Sequence, residues 1–484
     1  MKAIRNASLY VLLAGLFGLQ LSCGSDSTEP DVPEQTDVRL PAIFADNMVL
    51  QQQSSVPVWG WSKPGATVRV TTSWNDKNYS TKSDGTGHWR LEVQTPAASY
   101  TPYTLTVSDV EDVVLENVLI GEVWICSGQS NMTMPMAGFI GQPVEGGPEA
   151  IARSNNPGIR CFKVGKVSSA TPQDDCTGAW ETANVRTTPA FTATGYFFAR
   201  LLNQTLDVPV GLIHTSCSDS RIEAWMTPRS LNDIPEKPVP ASDADIREEN
   251  GTPTVLYNGM IHPLVGYGIR GIIWYQGESN CNEPDLYVKM FDRMVREWRT
   301  LWGVGEFPFY YCQIAPYRYN NGFNSACLRE AQAKGMTTTP NTGMAVLMDA
   351  ESVDCIHPPG KKEAGERMAR WALAETYGMK GIHYRSPVVG SFDVEGRMAV
   401  VTFDYTGSTG LTSRGREILN FTIAGADRRF HPAEATPAGN RVYVSSPDVA
   451  APVAVRYCFD NVAGAEIFTV EGGLPLPSFR TDDW

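Results

Sequence analysis

From Gly121 to about Tyr377 the chain alternates short apolar runs with longer helical stretches, and no other feature narrows its fold as much. The runs VWIC, VGLIHTS, GIIWYQG, FYYCQIA and GMAVLMD have strand length and are apolar almost throughout. Between them, AFTATGYFFARLLNQTL, PDLYVKMFDRMVREWRTLW and GKKEAGERMARWALAETYG carry their apolar residues at helical spacing. Alternation of this kind predicts βαβ units, and therefore an α/β fold with a mostly parallel sheet covered by helices. On either side the character changes. Residues 38–118 hold short β-rich runs broken by turn residues, such as VPVWGWSKPGATVRVTTSW and YTLTVSDVEDVVLENVLIG, which predict a small β-sandwich. Residues 386–484 return to β patterning (MAVVTFDY, LNFTIAG, RVYVSSP, VAVRYCFD) and predict a further β region packed on the central one, whose span is 119–385.

The first 22 residues have a basic start, an apolar run from Leu9 to Leu19 and Ser22 before Cys23, the pattern of an export signal. Residues 23–37 follow as a polar, acidic, Pro-containing tether. A Cys at the cleavage point ahead of a tether resembles a bacterial lipoprotein signal, although Gln20 stands where that signal carries an aliphatic residue. Cys23 is accordingly the expected lipidation site, and the expected location is the periplasm or cell surface, with membrane contact only through the lipid. A formal charge of -13 without a Lys/Arg-rich run argues against nucleic acid as a partner. Beyond Cys23 the cysteines are residues 126, 161, 176, 217, 281, 312, 327, 355 and 458, with no CxxC pair, and the six histidines are scattered, so neither a metal nor a cofactor is expected.

Ser130 in WICSGQSNM follows an apolar run, which places it at the carboxyl end of a sheet strand, where open α/β folds bind their ligands. Ser, Gly and Asn are equally ordinary turn residues, and the G-x-S-x-G elbow is absent. A nucleophilic serine needs a base oriented by a third group. Only His357, in DCIHPPGKKEAGERMARWAL, lies in a suggestive context: Asp354, three residues earlier in the same loop between a strand-like run and a helix pattern, can bend back to the imidazole or can simply shape the turn. His214 and His262 lie on apolar runs and read as packed, hydrogen-bonded histidines.

GEVWICSGQSNM, IIWYQGESN and DCIHPPGKKEAGERMARWAL, in that order, with FADNMVLQQQSSVPVWGWSKPG ahead and FTIAGADRRFHPAEATPAGNRVYVSSPDV behind, resemble the sialate O-acetylesterase family of SGNH-type hydrolases over nearly the whole mature chain. The resemblance implies a flavodoxin-like α/β/α hydrolase domain with accessory β regions. It also implies a metal-free serine esterase that removes acetyl groups from carbohydrate, with 9-O-acetylated sialic acids as the first expected substrate and acetylated xylan or another glycan as the alternative. Carried over by motif, Ser130 is the nucleophile, His357 the base and then acid, and Asp354 the residue that orients His357. The oxyanion donors expected are the Ser130 and Ser218 backbone N–H groups and the Gln276–Gly277 segment, with Gln129, Asn131, Glu278 and Asn280 supporting the loops. HTSCSDSRIEAW departs from the family's glycine pair at Ser218 and Asp219, and this altered loop also motivates an alternative of another class, a non-catalytic glycan-binding lipoprotein. Arg221 is the expected contact for a substrate carboxylate. Cys217 and Cys281, each beside a site segment, are the favoured pair for a disulfide that staples two of these loops, the alternative being independent buried thiols.

Overall fold

The computed structural model describes residues 36–320, 322–350 and 352–484. The leader and Cys23 lie outside the described residues.

The central layer is a twisted sheet whose order across the strands is Thr342–Ala345, Phe309–Cys312, Gly271–Tyr275, Asp112–Gly128, Val210–Ser216, Asn156–Lys163 and Trp180–Ala183, parallel except at the last strand. Gly271–Tyr275 and Phe309–Cys312 are buried along their whole length, as expected where helices cover both faces. On one face Ala193–Leu206 packs with Lys361–Trp371, and on the other Pro284–Trp302 packs with Ser325–Thr338. Pro284–Trp302 shows why these stretches become helices. Tyr287, Met290, Phe291, Met294, Val295, Trp298 and Trp302 recur at three- and four-residue intervals and are buried, Pro284 opens the helix, and Gly303 closes it at a φ of +67°.

Asp112–Gly128 carries on from one region into the next. Its first part pairs antiparallel with Ser99–Ser108, which in turn pairs with Thr67–Thr72, while its last part forms the middle of the parallel sheet. The expected boundary at residues 118 and 119 therefore falls inside one strand. Burial explains the continuity: the first residues of the strand alternate between exposed and buried, and from Val118 onward every one is buried. The flanking Ser55–Trp61 and His88–Gln94 form a separate antiparallel pair. The C-terminal region comprises antiparallel sheets, among them Val388–Glu395, Met398–Asp404, Arg441–Ser445 and Glu434–Ala438.

Register positions the site. Ser216 and Tyr275 both pair with Gly128, one from each side. The strand ends therefore stand level, and the segments that follow, Gln129–Asn131, Cys217–Asp219 and Gln276–Asn280, emerge together at the carboxyl edge of the sheet.

Candidate active site

Gly128 makes the turn into Ser130. Its φ is +132°, and a Cβ there would sit 2.2 Å from the Tyr275 carbonyl oxygen, so only glycine lets the strand bend at this point. Gln129 N–H then donates to Tyr275 O (2.8 Å), and Ser130–Thr133 forms a single helical turn. Ser130 is only 3% exposed, and its backbone N–H has no partner among the described residues. The same holds for the half-buried Ser218, whose carbonyl accepts from Asn250 Nδ2 (3.1 Å).

The second and third segments lock against the first. Gln129 Oε1 accepts from the backbone N–H of Gly277 (3.1 Å) and Ser279 (3.4 Å). Asn131 Nδ2 donates to Glu278 Oε1 (2.5 Å) and to the Ile356 carbonyl (3.0 Å), joining the serine turn to the histidine loop. Asn280 Oδ1 accepts from Ile222 N–H (3.0 Å) and Gln276 Nε2 (2.8 Å), while its Nδ2 donates to Glu223 (2.9 Å). Gln129, Asn131, Glu278 and Asn280 thus lie where a supporting role needs them. The oxyanion expectation at Gln276 and Gly277 is corrected. Gln276 is fully buried with Nε2 spent on Ser220 O (3.1 Å) and Asn280, and the Gly277 N–H is spent on Gln129. Neither group is available to a substrate oxygen.

His357 is half-buried, edge-on to Phe139 with ring centroids 5.1 Å apart, and its Nδ1 lies 2.6 Å from Gln142 Oε1. With the amide oxygen accepting, Nδ1 carries the proton and Nε2 keeps its lone pair. Burial holds the imidazole below its ordinary pKa, the Lys361 charge adds to that effect, and Asp219 opposes it. The structure does not bring Asp354 to the ring, which corrects the expected pairing: its side chain is 76% exposed and its Oδ1 meets Arg318 Nε at 2.9 Å. Arg221 is turned toward Glu223 (4.0 Å) and Glu283 (3.9 Å), carboxylates that Lys237 also holds, and so it is not a free cation. The Cys217–Cys281 disulfide is absent. Both are free, buried thiols that approach carbonyls of their own segments, Ser218 O (3.7 Å) and Gly277 O (3.9 Å). His214 is packed as expected, with Nε2 2.7 Å from Ser216 Oγ, and burial pushes its pKa down to about 3, so it stays neutral.

Gln142 and Lys361 are the residues that the sequence reading passed over. Gln142 lies in a glycine-containing loop ten residues after the serine motif but 215 residues before His357, and carries no local signal. Lys361 did carry one: it is the first residue of Lys361–Trp371, where the helix dipole disfavours a cation.

A strand-end serine with an unpartnered amide, beside a loop that presents a neutral histidine, is the equipment of a hydrolase acting on esters. The chain belongs to the carbohydrate esterase, sialic acid-specific acetylesterase family, whose model matches residues 120–374. It is a carbohydrate O-acetylesterase. Among curated relatives, the sialate O-acetylesterase of Mus musculus is 30% identical over 411 residues, covering 72% of this chain and 75% of that protein. That of Homo sapiens is 26% identical over 489 residues, covering 91% and 92%. Among solved structures, a carbohydrate acetylesterase from Xanthomonas citri superimposes with a TM-score of 0.84 at 38% identity, covering 92% of this chain and all of the other.

Proposed function

We propose that deacetylation proceeds through Ser130 and His357, with O-acetylated sialic acid as the substrate. The observation that carries this reading is the Ser130 turn, with its unpartnered N–H, hydrogen-bonded through Asn131 to the loop bearing His357. His357 Nε2 takes the hydroxyl proton as Ser130 Oγ attacks the acetyl carbonyl carbon, and the electron pair moves onto the carbonyl oxygen. The N–H groups of Ser130 and Ser218 hold that oxygen. Collapse breaks the bond to the sugar oxygen, which leaves with the proton from His357. Water then gives a proton to His357 and attacks the acetyl carbonyl carbon, and as the bond to Ser130 Oγ breaks, Oγ takes that proton from His357 and acetate leaves. Removing one such donor ordinarily costs roughly a hundred- to a thousandfold in rate. The strand order supports reading the central layer as the flavodoxin-like SGNH arrangement, with the site at the switch point beside Asp112–Gly128.

The substrate rests on the family and on the names of its relatives. A second reading, an acetylated neutral glycan, is favoured by one observation: Arg221 is taken up by Glu223 and Glu283 and leaves no free cation there for a carboxylate. Acetate release from 9-O-acetylated sialic acid, acetylated xylan and a chromogenic acetyl ester, run beside Ser130→Ala, tests both. The serine variant should lose activity on every substrate while unfolding like the parent, and the preferred glycan decides the substrate. Turnover retained by the variant would refute the nucleophile.

A further inference from the structure

Lys361 is buried, 1% exposed, beneath the site. Its Nζ donates to Asn131 Oδ1 (2.7 Å) and to the Pro358 carbonyl (2.6 Å), and lies 5.8 Å from the Tyr275 ring centroid. Asn131 follows the serine directly, and Pro358 follows the histidine directly. The other hand of Asn131 reaches Glu278 and Ile356. A single ammonium therefore holds the residue after the proposed nucleophile and the residue after the proposed base at fixed separation. A surface lysine would do neither, and a buried one is costly to keep unless its hydrogen bonds are needed.

We propose that Lys361 is a positioning residue for deacetylation, bolting the Ser130 turn to the His357 loop through Asn131 and the Pro358 carbonyl. This inference rests on the proposed roles of Ser130 and His357. A second effect follows from the same placement. The ammonium opposes protonation of His357, so the imidazole stays in the form that can accept the serine proton. The groups facing His357 are Phe139 and Gln142 from one loop, Asp219 from the loop after Val210–Ser216, and Lys361 from the helix. Those facing Lys361 are Asn131, Tyr275, Glu278, Cys312 and Cys355. Burial brings the Lys361 pKa down to about 7, with Glu278 opposing. Its charge is therefore present in the acid range, where His357 titrates, and fades above neutrality.

The test compares wild type, Lys361→Met and Lys361→Arg in kcat, KM and the pH profile of kcat/KM on a chromogenic acetyl ester. A cleft of about 460 Å³ beside Lys361, lined by Tyr275, Asp349, Pro358, Gly360 and Glu363, has room for the larger guanidinium. Lys361→Met should lower kcat at least about tenfold with little change in KM, the signature of misplaced chemistry. Its acid limb should also move to higher pH by roughly half a unit to one unit, because the limb reports the free enzyme's base. Lys361→Arg should keep the wild-type limb and recover part of kcat. An unmoved limb together with unchanged kcat in Lys361→Met overturns the proposal, and so does a loss of kcat that Lys361→Arg shares in full. Should Lys361→Met fail to fold, Lys361→Gln, which also removes the charge but keeps a polar amide, gives the same reading of the limb. Inactivation of wild type by diethyl 4-nitrophenyl phosphate separates the premises. A wild type left unmodified at Ser130 removes the catalytic reading, whereas modification of Lys361→Met at the wild-type rate across pH removes only this one.

Discussion

His357 keeps its Nδ1 proton on the amide oxygen of Gln142, a neutral acceptor, while Asp354 faces solvent and Arg318. A neutral acceptor fixes the ring and its tautomer but lends little charge to the imidazolium, and Asp219 is the carboxylate whose charge favours the protonated ring. Orientation is thus separated from electrostatic support. Gln142→Ala, which frees the ring to turn, should lower kcat by about tenfold or more, since misplaced catalytic groups lose rate steeply. Asp354→Asn, which leaves the Gln142 contact alone, should cost less than about threefold. Steady-state kinetics on an acetyl ester checks the order of the two, and a reversed order would return the orienting role to Asp354.

At the scale of elements, the site depends on strand ends that stand level. Gly128, Ser216 and Tyr275 share one register row, and the three loops that follow inherit their positions from it. Gly128 is the tightest joint in that arrangement, because both its positive φ and the approach of the Tyr275 carbonyl exclude a side chain. Gly128→Ala should destabilise the protein by about 2 kcal/mol or more, combining backbone strain with a clash against a neighbouring strand. Chemical denaturation measures it, and a variant as stable as the parent would mean that the turn relaxes freely.

Across the whole molecule, the C-terminal β region is bolted to the hydrolase layer by a buried guanidinium. Arg329, on Ser325–Thr338, donates to Ser478 Oγ (3.0 Å) and to the carbonyls of Cys458 (3.2 Å) and Asp460 (2.5 Å), and Arg480 reaches back to Glu330 (3.0 Å). Arg329→Met should cost about 3 kcal/mol or more, because it leaves buried carbonyls without donors. Differential scanning calorimetry should show either a lower transition or a separate early one for the C-terminal region. An unchanged profile would make the contact incidental.

Much of this was legible in the chain alone. Strand and helix periodicity placed the central runs, because burial on both faces or along one helical face leaves a pattern within a few residues. The motif segments around Ser130, Gln276 and His357 were legible for a related reason, since each is a short local stretch. What the chain could not settle is which atoms those segments spend on one another. Gln276 and Gly277 lie in the expected loop, yet their donors are consumed by Ser220, Asn280 and Gln129. Asp354 is three residues from His357 but turned away, Cys217 and Cys281 flank the site without joining, and the imidazole's partner, Gln142, comes from 215 residues earlier in the chain. Periodicity and local motifs are properties of neighbouring residues, whereas hydrogen-bond partners in a buried site are selected by three-dimensional competition among groups that only the folded sheet brings together.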